Sequence, residues 1–188
     1  MDDPVPRRLR VLVADEQQIH LEVIGRAVNR LGHEVITHEV DIEAVGRATA
    51  EHCPDFAIVV LHEDTKHALG LISEIVEEAT CPVAVLANSA DADFLAQAAE
   101  RGVFAYLDST DETELQGGID VALQRYREFR KLLESFDRRA RTERAKGILM
   151  ERHAIGEREA FERLRAEARR SRRRLVEVVE EFLATEAS

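Results

Sequence analysis

The sequence predicts an α/β fold: a flavodoxin-like, five-stranded parallel sheet, followed by a long coiled-coil helix and a small three-helix all-α unit. Three observations carry this expectation. Short apolar runs alternate with helix-period segments up to residue 107, a seam of apolar and small residues continues from Ile119 to Ala140, and residues 144–182 hold three apolar stripes of helical period.

The first strand is expected over residues 10–14, an apolar run that ends in Asp15 and Glu16 and so puts two carboxylates at the C-terminal end of a buried parallel strand. A helical pattern follows through Ile19, Val23, Ala27 and Leu31 and is stopped by Gly32. Further strands are expected over residues 34–37, 56–61, 83–87 and 103–107, and helices over 42–51, 66–78 and 91–101. Parallel neighbours joined by short connections need helical crossovers of one hand, which makes the sheet doubly wound. There is no solenoid-type repeat and no low-complexity tract.

Composition narrows the function classes. The chain of 188 residues carries a net charge of −11, which spread evenly would argue against nucleic acid. It is not spread evenly. Residues 138–174 hold 14 Lys and Arg against 6 Asp and Glu, a local net of +8 that leaves −19 for the rest. Polyanion binding follows the local field rather than the whole-chain balance, although a solvated helical face is also compatible with charge alone. Cys53 and Cys81 lie in apolar neighbourhoods without C-x-x-C spacing and read as buried reduced thiols. Residues 1–10 lack an apolar leader core, and no run approaches the ~20 residues needed to span a bilayer. The expectation is a soluble, cytoplasmic protein with no membrane contact.

Catalytic patterns are missing: the chain has no nucleotide-binding glycine loop and no nucleophile elbow, and Gly117-Gly118 falls inside a helical pattern. His62 and His67 flank Glu63 and Asp64, but five-residue spacing does not bring both imidazoles to one helix face. No enzyme activity, metal or cofactor is expected.

Asp15-Glu16, Pro54-Asp55, Cys81-Pro82-Val83 and the run from Gly102 through Val103, Phe104, Ala105 and Tyr106 to Leu107 occur in an order and spacing that resemble the receiver domain of bacterial two-component response regulators, over roughly residues 9–125. In that family a phosphoacceptor aspartate ends the third strand, six residues after the proline, and here that position is Val60. The hydroxyl residue expected at the end of the fourth strand falls on Ala87, and the lysine after the fifth on Ser109. An acyl phosphate needs a carboxylate nucleophile and magnesium needs hard oxygen ligands, neither of which valine supplies. Glu63 and Asp64 lie beyond the strand and are set aside as displaced acceptors, and Asp15 and Glu16 read as a solvated remnant pair. The resemblance therefore implies a pseudo-receiver that is not phosphorylated and works by binding a partner, such as a sensor or silencing protein, or by dimerising.

After an N-cap supplied within residues 108–111, Ile119, Ala122, Tyr126, Phe129, Leu133, Phe136 and Ala140 recur at alternating steps of three and four. The seam can pack on its own receiver-like body or form a parallel homodimeric coiled coil. Its extension to residue 140 favours the homodimer. The expected domains are 1–118, 119–140 (linker helix) and 141–188.

In the last of these, the run from Ala145 through Lys146, Gly147, Ile148, Leu149, Met150 and Glu151 to Arg152, then Glu159-Ala160-Phe161, Leu164-Arg165, Ala168 and Leu175, closely resemble the ANTAR domain, the RNA-binding module of amide- and nitrate-responsive transcription antitermination regulators. The resemblance implies binding to nascent leader RNA bearing two hairpins, and prevention of a terminator. Lys146, Arg165, Arg169, Arg170, Arg172, Arg173 and Arg174 are candidate phosphate contacts, and guanidinium planes can stack on unpaired bases. Gly147 would admit either an RNA backbone or a neighbouring helix. Phe161, Leu149, Met150 and Leu164 are expected in the core, Gly156 as the stop between the first two helices, and Ser171 as the N-cap of the third. Arg170 and Arg172 stand where the family commonly has a small or acidic polar residue and an asparagine. Two alternatives are a protein-interaction adaptor whose tail is sequestered or makes protein contacts, and a DNA-binding regulator, which would need a recognition helix rich in base-reading side chains.

Overall fold

The structure is a computed structural model that describes residues 8–15, 20–37, 44–61, 65–87 and 92–186. The chain divides into two compact units, Met1–Arg127 and Glu128–Ser188. Among the described residues no helix is long and apolar enough to cross a membrane.

The first unit is built from β1 (Arg10–Asp15), α1 (Leu21–Arg30), β2 (Glu34–Thr37), α2 (Val45–His52), β3 (Phe56–Val60), α3 (Thr65–Glu78), β4 (Val83–Leu86), α4 (Ala92–Glu100), β5 (Ala105–Leu107) and the first part of α5 (Glu112–His153). All strands pair in parallel, in the order β2-β1-β3-β4-β5. Continuous apolar strands follow from covering both faces. Leu12, Ala14, Ala57, Val59, Val83 and Val85 face a cluster with α2, α3 and α4. Val11, Val13, Phe56, Ile58, Val60, Ala84 and Leu86 face the opposite cluster, with α1 and α5.

The expected strand over 103–107 is two residues shorter at its start. Gly102 takes a left-handed φ of 94°, and the Val103 N–H bonds back to the Ala98 carbonyl at 3.2 Å, closing α4 rather than opening a ladder. Cys53 is also corrected: it is exposed, in the left-handed residue after α2, while Cys81 is buried and its thiol is pushed up to about 12 by burial and by Asp55. Both thiols are free.

Helix α5 meets the sheet closely. A Cβ on Gly118 would lie 2.3 Å from Leu107 Cδ2. Gly118→Ala is therefore expected to destabilise the first unit by about 1–3 kcal/mol through overpacking, even though alanine favours a helix interior by about 1 kcal/mol. A lowered thermal midpoint checks this.

The same packing corrects the first three positions of the expected dimer seam. Ile119 and Ala122 are wholly buried against their own sheet. Tyr126 is half-buried, meets Phe104 edge-on with centroids 5.1 Å apart, and donates its hydroxyl to the Thr80 carbonyl at 3.0 Å. Ile119 and Ala122 thus belong to the core of the first unit, and Tyr126 packs at its edge. Farther along α5, Phe129, Leu132, Leu133, Phe136 and Ala140 are exposed.

The second unit comprises the remainder of α5, α6 (Glu157–Ser171) and α7 (Leu175–Glu186). Ala145, Leu149, Ala160, Leu164 and Val179 form its core, with Met150, Ile155, Leu175, Phe182 and Leu183 packed against them. The stop after α5 is Ala154, not Gly156. Ala154 is left-handed at φ 52°, and the Ile155 N–H reaches the Met150 carbonyl at 3.3 Å. Gly156, in extended backbone, is the N-cap of α6, whose first turn carries Glu157 and Glu159 where the helix dipole favours acid. Ser171 is not the N-cap of α7. It ends α6, its hydroxyl donating to the Glu167 carbonyl at 2.8 Å, and Arg172 then turns the chain at φ 54°. Glu177 caps α7 instead, accepting the Arg174 N–H at 3.2 Å.

Candidate nucleic-acid interface

At the C-terminal ends of the strands, Asp15 and Val60 are direct partners in the β1–β3 register. Asp15 is not solvated as the sequence suggested. It is 3 % exposed, and its Oδ2 accepts the His20 N–H at 2.7 Å. Val60 is buried, Ala87 donates its N–H to the Leu107 carbonyl at 3.3 Å and accepts the Tyr106 hydroxyl, and Ser109 Oγ accepts the Asp111 N–H at 3.0 Å. Asp111 in turn caps α5 by accepting the Thr113 N–H at 2.9 Å. The positions of acceptor, hydroxyl and lysine thus hold groups occupied in packing or in helix entry. Glu16, His62, Glu63, Asp64 and the side chain of His67 lie outside the described residues.

In the second unit, successive turns of α6 and the turn into α7 gather guanidinium groups. Arg165, Arg169, Arg172 and Arg173 line a surface pocket of about 390 Å³ whose apolar part is Ala168 and Leu175. Most of these arginines pair with nearby glutamates: Arg165 with Glu162 at 3.3 Å, Arg170 with Glu167, Arg173 with Glu181, and Arg174 with Glu177 at 2.6 Å. Such exposed pairs are screened by solvent and weak, so a phosphate can displace them at little cost. No such pair is found for Arg172 among the described residues.

Lys146 behaves differently from the expectation. It is 7 % exposed, and its Nζ sits 2.7 Å from Glu143 Oε2 and 2.7 Å from Glu157 Oε1, joining α5 to the start of α6. Those hydrogen bonds raise the Lys146 ammonium above its ordinary value, and the bond from Lys146 lowers the Glu157 carboxyl. Lys146 is thus an internal strut rather than an open phosphate contact. Because Glu157 titrates lower when folded than when unfolded, its contribution is present above an ordinary carboxyl value of about 4.5 and disappears as pH falls through the folded value. The Lys146 contribution is present below about 10.5 and disappears as pH rises through its higher folded value. A Lys146→Met, Glu157→Gln pair is expected to flatten the stability of this unit at both pH extremes, as measured by thermal melts.

Gly147 is exposed, with nothing within 4 Å of where its Cβ would stand, so no neighbouring helix in this unit uses the space. Phe161 is the other departure. It is half-buried and outside the core cluster, with Lys146 Nζ 6.0 Å and Arg165 Cζ 5.8 Å from its ring centroid. Leu149, Leu164 and Met150 pack in or against the core as expected. Sequence reasoning missed Glu143 and Glu157 as the partners of Lys146. The i, i+3 step from Glu143 was visible, whereas the link across the α5–α6 turn was not.

A five-stranded receiver-like fold with valine at the end of its third strand, followed by a small arginine-rich helical unit, is the build of a modular regulator. Residues 130–183 match the ANTAR domain family, so this chain carries a C-terminal ANTAR domain behind its receiver-like domain. Over nearly its full length the chain is similar to the transcriptional regulatory protein PdtaR of Mycobacterium tuberculosis strains H37Rv and CDC 1551, at 28% identity over 195 residues, covering 98% of this chain and 94% of the relative. Among solved structures it is similar to a LuxR-family two-component response regulator from Aurantimonas sp. SI85-9A1, with a TM-score of 0.54 at 22% identity over 62% of this chain and 86% of that one. The signal receiver domain of the response regulator NarL from M. tuberculosis gives a TM-score of 0.51 at 22% identity, over 62% of this chain and 98% of that one. These two likenesses establish the receiver fold alone.

Proposed function

We propose that this chain is an RNA-binding transcription antitermination regulator, whose ANTAR domain grips hairpin-containing nascent RNA. The observation that carries this reading is the arginine-lined pocket at the end of α6, within a stretch of local charge +8 on an otherwise acidic chain. Guanidinium forks on a rigid helix end hold phosphates in a fixed register, and their planes are free to stack on the splayed bases of a loop. Transcriptional regulation, the role named for PdtaR, is extended to this chain on that basis. The protein acts in the cytoplasm, where nascent transcripts are.

The receiver-like domain serves as a binding and assembly domain. Val60 in place of the acceptor leaves no carboxylate at the end of β3. The exposed Phe129, Leu132, Leu133 and Phe136 on α5 suit a second copy of the chain, and two ANTAR domains on one dimer would each take one hairpin, so that bivalence raises weak single-site affinity.

Titrating a two-hairpin leader RNA and a duplex DNA of equal length over a range of salt tests the reading. RNA-selective binding, weakened by Arg165→Ala, supports it; equal affinity for DNA points to a DNA-binding regulator, and no affinity for either leaves the adaptor. Incubation with a small-molecule phosphodonor is expected to leave the intact mass unchanged. A gain of one phosphoryl group would overturn the pseudo-receiver assignment.

A further inference from the structure

We propose that Phe161 is the stacking platform for one unpaired base of an RNA loop, held between its ring and the Arg165 guanidinium on the surface of the second unit. This rests on the RNA-binding reading above and names the contact that reading lacks. Ala160, Leu164 and Ala168 turn inward along α6. Phe161 stands at the margin of that stripe, about 100° round the helix from Ala160 and about 60° from Leu164, and its ring is half-buried outside the core cluster.

The ring borders two pockets. One, of about 340 Å³, has Phe161, Leu175 and Val176 as its apolar wall and Arg138, Arg139, Thr142 and Glu143, the last paired with Lys146, as its polar wall. The other, of about 310 Å³, lies on the Lys146 and Glu157 side. Lys146 is clamped by its two carboxylates and forms a fixed wall. Arg165 is exposed, and beside the Phe161 ring its one ion pair among the described residues is the surface pair with Glu162, so its guanidinium can move. A base sandwiched between ring and guanidinium needs roughly 7 Å, two contact distances of about 3.5 Å. The present separation is 5.8 Å, so a shift of about 1 Å opens the slot.

Charge selects the occupant. A planar apolar face fits the aromatic wall, while flanking phosphates would meet Arg138 and Arg139 on one side and Arg165 and Arg169 on the other. Every base has a π-face, so stacking supplies affinity that salt does not screen, in contrast to the phosphate contacts.

The test uses the full chain and a leader RNA carrying 2-aminopurine at each loop position in turn. Phe161→Leu is expected to weaken binding roughly tenfold or more at every salt concentration without changing the salt slope, whereas Arg165→Gln flattens the slope. The chain contains no tryptophan, so Phe161→Trp introduces a single fluorophore. This variant is expected to bind like the parent and to be quenched by RNA, even where the leucine variant is poorly folded. Parent-like RNA affinity in a folded Phe161→Leu, or an unquenched Phe161→Trp–RNA complex, overturns the stacking role while RNA binding stands. Absence of RNA binding by the parent protein overturns both.

Discussion

Truncation of Ile119 to alanine is expected to lower the unfolding free energy of the first unit by about 2–5 kcal/mol. The side chain is wholly buried in a cluster with Leu86, Leu107, Leu115 and Ala122, so its loss leaves a cavity that the sheet cannot close over. Both tyrosines of the chain, Tyr106 and Tyr126, lie in this unit, so urea unfolding followed by tyrosine emission reports it alone. Substituting Phe129, Leu133 and Phe136 by serine is expected to leave that transition within about 0.5 kcal/mol of the parent, as for exposed positions generally, and to convert a dimer to a monomer in solution mass measurements. A change of less than 1 kcal/mol for Ile119→Ala would contradict its place in the core. A dimer undiminished by the triple substitution would remove the coiled coil from the proposal.

The second large effect concerns affinity. Replacing Arg169, Arg172 and Arg173 together by glutamine should reduce RNA binding on the order of 100-fold near 0.1 M salt and flatten the salt dependence by about two units of slope, since each lost phosphate contact removes roughly 0.7–0.9. Folding should survive, because the pairs broken are exposed and contribute little. Arg172 is informative singly. It holds a left-handed φ of 54°, which asparagine tolerates better than arginine. Arg172→Asn is thus expected to raise the melting temperature of the second unit while weakening RNA binding, a combination that simple loss of structure cannot produce. An unchanged slope in the triple variant would place the phosphates elsewhere on the unit.

Much of this arrangement could be read from residue order. The alternation of apolar runs and helical periods defined a doubly wound sheet, and the counted positions at its strand ends gave Val60, Ala87 and Ser109, on which the proposed pseudo-receiver rests. Helix-period stripes likewise located the core of the second unit, with Ala145, Leu149, Ala160 and Leu164 where expected. These features are one-dimensional: period and residue type at a counted position are properties of the chain alone.

Other features depended on what each surface meets in three dimensions. Ile119, Ala122 and Tyr126 share one seam with Phe129, Leu133 and Phe136, yet the first three pack within the receiver-like unit and the last three are exposed, because periodicity states that a face is apolar but not what covers it. Ser171 has the chemistry of an N-cap but ends α6, since seating Leu175, Val178 and Val179 fixes where α7 must begin. Charge suggested that Lys146 faces solvent, and hydrophobicity that Phe161 faces the core. Burial beside Glu143 and Glu157 reversed the first, and a place at the margin of the inward stripe of α6 reversed the second. The sequence by itself determined the fold and which residues, Val60, Ala87 and Ser109, stand at the strand ends, because these follow from residue type and spacing. The tertiary structure alone decided which charges are open to a ligand and which ring meets solvent, because those depend on neighbours far apart in the chain.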